Sequence, residues 1–266
     1  APIKTQTGSN SGARLIPFVF SKTQAYILEF GHNYIRFFKD EGQITSGGSV
    51  YEISTTYTAA QIDQIEYVQS ADVLYLVHDD HTPRKLSRTG HTSWTISDVD
   101  FFDGPYDPAN TSSTTLQPSG TSGNITITAS SNVFVANDVG RSVRIKNGSD
   151  WGFAKITGYN SATNVNATVN ADMPFAATSA NTDWRLGSFY TGNYPTKITF
   201  FEERLFYAGT TQQPSTVFSS MSADFDKFSP TSKDGSVNDD NALQFTIVSD
   251  QVNQITGMYG GKFLAI

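Results

Sequence analysis

A chain of 266 residues is long enough for about two domains, and with aromatics at 13% and charged residues at only 16% it favours strands over surface helices. It holds no cysteine, which excludes disulfides, thiolate catalysis and cysteine-ligated zinc. The formal net charge of −7 argues against a stationary grip on DNA, which needs Lys and Arg on the phosphates, but suits a surface past which DNA slides without sticking.

In chain order, residues 1–13 read as a polar, disordered arm with no apolar signal-peptide core. No run of about 18 apolar residues follows anywhere, so no membrane span is predicted. Arg14 to Phe38 gives two or three strands, with Gly31-His32-Asn33 as the turn between Tyr26–Phe30 and Tyr34–Phe38. Asp40-Glu41-Gly42 is a second turn and Val50–Ile53 a short strand. Thr58–Gln64 reads as one helical turn capped by Thr58. Ile65 and Tyr67 alternate with polar residues, Val73–Val77 is a continuous apolar run, His78-Asp79-Asp80-His81 is a turn, and Pro83–Ser87 starts a further strand. Trp94–Val99 closes that group.

Gly104-Pro105-Tyr106-Asp107-Pro108 marks a boundary, and Asn110–Gly123 has the Ser/Thr/Pro/Gly composition of a linker. Five short strands follow, at Ile125–Thr128, Val143–Lys146, Trp151–Thr157, Val165–Val169 and Trp184–Leu186, which predict a small β-barrel or sandwich inserted at 105–189 with its ends close together. The chain returns at Thr191–Pro195. Ile198–Val217 is strand-rich, Ser229–Asn241 is a polar loop, Ala242–Val248 is a last strand, and Ile255 opens another group. Phe263–Ile266 is expected to be a buried strand; with no initial Met, the sequence reads as part of a longer protein.

The layout recurs. Segments starting at Phe18, Ile65, Ile198 and Ile255 share an alternating pair followed by an apolar run, and setting aside 105–188 spaces them about 50 residues apart. The expectation is an all-β fold of partial β-propeller-like blades. These cover 14–104 and 190–266 as one discontinuous domain, incomplete at its C-terminal side, with 105–189 inserted.

The phrases RLIPFVFS (14–21), QSADVLYLVHDDHTPRKLSRTGHTSW (69–94), DVGRSVRIKNGSDWGFAKITGY (138–159), DWRLGSF (183–189), FFEERLFYAGTTQQPSTVFSS (200–220) and DQVNQITGM (250–258) together resemble the N-terminal part of phage and prophage structural proteins similar to the tail nozzle (tail tubular protein B) family of short-tailed DNA phages. The resemblance implies a non-catalytic virion tail component, made in the bacterial cytoplasm and built around propeller modules. It would form a ring of its own copies, usually a hexamer, below the portal and adaptor, with DNA leaving through the ring without specific binding and no membrane involved. Family members are much longer than this chain. The middle segment resembles a small β-domain named after ubiquitin-activating enzymes, but the sequence has neither a Gly-rich nucleotide loop nor a cysteine.

No residue set points to catalysis, a cofactor or a metal. His78-Asp79-Asp80-His81 reads as a solvated turn, because four adjacent residues converge poorly on one ion. Asp234, Asp239 and Asp240 lack the spacing of a calcium loop, Glu202-Glu203 reads as a strand turn, and no nucleophile-elbow glycines surround Ser87 to join His91 and Asp98. Arg84, Lys85 and Arg88 form the densest basic cluster and, with Trp151, are the possible interaction surface; the simpler reading of the cluster is a solvated strand face. The alternative function is a carbohydrate-binding module for host attachment, using Trp94, Trp151 or Trp184 as sugar platforms.

Overall fold

The computed structural model describes residues 12–21, 24–248 and 254–266. It is all-β, with short 3-10 turns and no α-helix among the described residues. No helix there is long and apolar enough to cross a membrane. The arm expected at 1–13 lies almost wholly outside the described residues. Contacts divide the chain into two compact units, one up to His78 with Pro83–Val99, the other Asp79–Thr82 with Asp100–Ile266.

In the first unit, β1 (Arg14–Ser21), β2 (Gln24–Gly31), β3 (Tyr34–Lys39) and β4 (Gly42–Gln43) form an antiparallel meander. A small hairpin of β5 (Thr45–Ser46) and β6 (Ser49–Val50) follows, and β7 (Glu52–Ser54) pairs with β3. The second sheet is another meander, of β8 (Glu66–Ser70), β9 (Val73–His78), β10 (His81–Gly90) and β11 (Ser93–Asp98). Strand alternation sends Ile16, Phe18, Tyr26, Leu28, Phe30, Ile35 and Phe37 of the first sheet to one face, where they meet Leu74, Leu76, Leu86 and Trp94 of the second in one core. Trp94 sits at its centre, 4.9 Å from Phe18 and 4.5 Å from Phe37 between ring centroids.

The free edge of β1 is blunted by two residues. Val19 gives its N–H to Gln69 Oε1 at 3.0 Å, and its carbonyl accepts from Gln69 Nε2 at 2.8 Å. Pro17, in the same phase of the strand, has no N–H to offer a stray strand. At the β2–β3 hairpin the Tyr34 ring passes 2.2 Å from where a Cβ on Gly31 would stand, so only glycine lets Tyr34 cross there.

The predicted helical turn is corrected in place and type: it is a 3-10 turn at Ile62–Gln64. Thr58 is no ordinary cap, since its hydroxyl and N–H both donate to Gln61 Oε1 at 3.0 Å. The 58–62 backbone turn is closed instead by Gln61 and Ile62 N–H groups on the Thr58 carbonyl.

In the second unit, six strands make one curled sheet in the order β12 (Leu116–Pro118), β13 (Asn124–Ala129), β16 (Asn164–Val169), β15 (Asp150–Ser161), β14 (Ser142–Asn147), β17 (Trp184–Leu186). β12 lies within the stretch read as linker. Leu116 is the reason: it is fully buried in the sheet's own core with Ile127, Val143, Ile145 and Val165. The sheet curls as a half-barrel, and Leu116 of β12 exchanges backbone hydrogen bonds of 2.9 and 3.0 Å with Asn181, just ahead of β17. The third meander is β18 (Lys197–Phe201), β19 (Arg204–Ala208), β20 (Thr216–Ser219) and β21 (Gln244–Thr246). The expected buried strand at Phe263–Ile266 is only a two-residue pairing of β22 (Tyr259–Gly260) with β23 (Leu264–Ala265). Phe263 is 74% exposed there, with the Lys262 ammonium 5.7 Å over its ring.

Candidate functional site

The root of the curled sheet is where the chemistry concentrates. The incoming segment runs antiparallel to the outgoing one. Tyr106 bridges Gly187, Asp107 N–H donates to Leu186 O at 2.8 Å, and Ser188 N–H donates to Pro105 O at 2.8 Å. Beneath them Phe101 meets Phe189 at 5.2 Å and Phe228 at 5.3 Å, and Phe189 meets Phe218 of β20 at 5.2 Å, all edge-on. Such pairs contribute about 1 kcal/mol each beyond the area they bury.

Two arginines sit on this root. β14 alternates, so Val143 and Ile145 face the sheet's core while Arg144 faces out, yet Arg144 is only 1% exposed because residues 229–233 cross over it. Its Nε lies 3.5 Å from Oδ1 of the fully buried Asp103, and its Nη2 donates to the Thr231 and Ser232 carbonyls at 3.2 and 3.3 Å. The guanidinium stacks 4.7 Å above the Trp151 ring. The Tyr106 hydroxyl donates to the same Asp103 carboxylate. Burial foremost, with the Asp103 charge behind it, pushes the Tyr106 phenol well above its ordinary range. Arg185 is the cross-strand neighbour of Arg144, and burial first, then the Arg144 charge, lowers its guanidinium.

Arg141 makes the second tie. Its Nη1 donates to Asp138 Oδ1 at 2.8 Å, its Nη2 pairs with Asp107, its Nε donates to the Gly187 carbonyl, and it stacks 4.2 Å over Tyr190. Gln213, in the β19–β20 connection, donates to Asp107 Oδ1 at 2.7 Å and so couples the root to the third meander. Burial raises the Asp107 carboxyl and Arg141 pulls it back down. Buried ion pairs of this kind add little net stability, but each resists losing one partner and so fixes geometry. Positioning is what this arrangement can do: both guanidinium groups are engaged by carboxylates and carbonyls from separate segments.

The sequence-predicted surface residues fall elsewhere, and the reading of the basic cluster as a solvated face is corrected. The parity that sends Leu86 into the core also turns Arg84 and Arg88 inward. Arg84 pairs with Asp98 at 3.1 Å, donates to Thr56 Oγ1 at 2.7 Å and stacks 5.0 Å over Tyr57. Arg88 pairs with Asp72 at 3.2 Å and lies 3.9 Å over the Phe20 ring. Lys85 points to the opposite face of β10, and Trp151 is the platform under Arg144. Of the other tryptophans, Trp94 is in the core, and Trp184 Nε1 donates to the Thr114 carbonyl at 2.9 Å.

His91 meets the Tyr26 hydroxyl at 2.6 Å while Asp98 holds Arg84, so Ser87, His91 and Asp98 are not brought together. At the β9–β10 turn, His78, Asp79 and Asp80 each bring one ligand-type atom within 4.8 Å of the others. Three adjacent residues fall short of the four convergent ligands of a structural zinc site. Glu202 and Glu203 form the β18–β19 turn, with φ of 45° and 59°. Asp234 accepts from the Ser236 hydroxyl and N–H, which lowers its carboxyl.

Sequence reasoning missed Asp103, Arg141 and Arg144. An arginine alternating with Val and Ile on a strand signals a solvated outer face, and only the cover of a distant loop reverses that reading. The sequence matches no family model and no curated protein.

Proposed function

We propose that this chain is a non-catalytic structural subunit of a phage tail nozzle, arranged with other copies in a ring through which DNA is ejected. The observation that carries the reading is the double arginine tie at the root of the curled sheet, which holds that sheet stiffly against the third meander. A scaffold needs fixed geometry between modules, and an enzyme needs a convergent open site. The two four-stranded meanders have the strand order of propeller blades. The net charge of −7 suits a lumen that DNA crosses without sticking. Portal and adaptor proteins are the expected neighbours, and the phrases quoted above supply the family reading.

Electron microscopy of tails carrying an affinity tag on this protein tests the reading. The expected result is label on a ring at the tail axis. Label absent from tails, or found only on host-binding fibres, overturns it.

A further inference from the structure

On the outer face of the first sheet, β1, β2 and the β3–β4 turn enclose a groove of about 510 Å³. Its walls include Leu15, Ile27 and Phe38, and Leu15 and Ile27 are 58% and 40% exposed. At its floor is Glu29, which is 0% exposed. Its Oε1 accepts from the Tyr34 hydroxyl at 2.6 Å, but its Oε2 is buried with no donor among the described residues. A buried carboxylate oxygen without a donor costs about 1–3 kcal/mol, more if ionised, and so calls for a partner. Asp40 and Glu41 stand at the rim, both held at positive φ. Among the described residues that line the groove the cation is Lys39, already paired with Asp40 at 3.0 Å, and Arg36, opposite Glu29 on β3, is engaged by Glu52 at 2.9 Å. The groove is therefore apolar along its walls, acidic at its floor and acidic at its rim.

We propose that this groove receives a lysine or arginine side chain presented by a partner polypeptide. The methylene stem packs on Leu15, Ile27 and Phe38 while the charged head reaches Glu29 Oε2, the division of labour that long cationic side chains make elsewhere. The volume lies within the roughly 300–1,000 Å³ range of ligand pockets and leaves room for apolar flanking residues. Strand addition at the neighbouring edge is disfavoured by Pro17 and by the Gln69 amide on Val19, so the partner docks by an inserted side chain. The inference stands on these residues and does not rest on the tail reading.

The test is a titration of the whole protein, followed by NMR, with acetyl-Ala-Leu-Lys-Leu-Ala-amide and with its norleucine counterpart. The lysine peptide is expected to bind at least about tenfold more tightly and to shift the methyl signals of Leu15 and Ile27. Glu29→Gln should abolish that preference while leaving the weak norleucine binding unchanged. Because Glu29 is buried, Leu15→Asp on the exposed wall serves as a second variant and should abolish binding of both peptides. Equal binding of the two peptides, no shift at Leu15 or Ile27, or full binding by Leu15→Asp overturns the proposal. Self-association of the wild type that Glu29→Gln removes would make the occupant a second copy, and would overturn the assignment to a different partner.

Discussion

The meanders β8–β11 and β18–β21 have the same strand order, the same short first hairpin and the same buried second strand, yet they use arginine in opposite ways. In the first, all connections are short, and Arg84 and Arg88 reach across the sheet to the half-exposed carboxylates of Asp98 and Asp72. In the second, residues 220–243 separate β20 from β21, and one buried arginine organises that excursion. Arg204 donates to the carbonyls of Ser220 at 2.9 Å, Asn241 at 2.7 Å, Asp240 at 3.3 Å and Asp239 at 2.6 Å. A long loop cannot pair its backbone as a ladder does, so a guanidinium with five donors stands in for the absent strand. One meander design therefore accommodates a long insertion in which a buried cation takes up the Asp239 and Asn241 carbonyls that the insertion leaves without another donor.

The comparison breaks most readily at Arg204. Arg204→Met keeps the stem but leaves the Asp239 and Asn241 carbonyls without their donor, since Asp240 still accepts from Ser222 N–H and Ser220 from the Ser219 hydroxyl. It should cost about 2–4 kcal/mol in urea unfolding, with a fall in protease resistance confined to 220–243. A loss no greater than that of the ion-paired arginines would mean that the loop is held by its own contacts.

The next effect belongs to the first unit. Burial pushes the Tyr57 phenol up from its ordinary 10.0 to about 12, against the pull of Arg84. A raised folded-state value leaves the contribution intact below pH 10 and removes it as the pH climbs towards 12, because the unfolded phenol ionises first. Wild type should lose roughly 2 kcal/mol across that window relative to Tyr57→Phe, and parallel stability curves for the two proteins would contradict this account.

The smallest effect sharpens the contrast. Asp72 is 42% exposed on its side chain, so solvent screens its pair with Arg88. Arg88→Met should cost less than about 1 kcal/mol in the same unfolding experiment, much of it from lost packing on Phe20.

Particular residues show how much was legible in advance. The run Val73–Val77 and the alternation at Ile65 and Tyr67 announced β9 and β8 because burial on two faces or one leaves a periodic trace in the chain itself. Leu116 announced nothing: a single apolar residue among Ser and Thr has no period, and its strand exists only because β13 and Asn181 pair with it. Gln69 looked like any polar strand residue until Val19, 50 positions away, supplied the backbone it caps. The root of the curled sheet was illegible for the same reason.

By itself, then, the sequence determined an all-β chain, most of its strands and hairpin turns, and the repeated meander, since each rests on residues within a few positions of one another. Tertiary structure alone decided which cations are solvated and which are buried. Arg144 and Arg204 carry nothing local that distinguishes them from surface arginines. What buries them is backbone brought back from 87 and 35–37 residues further along, and desolvation is set by whatever lies opposite a charge, however distant in sequence.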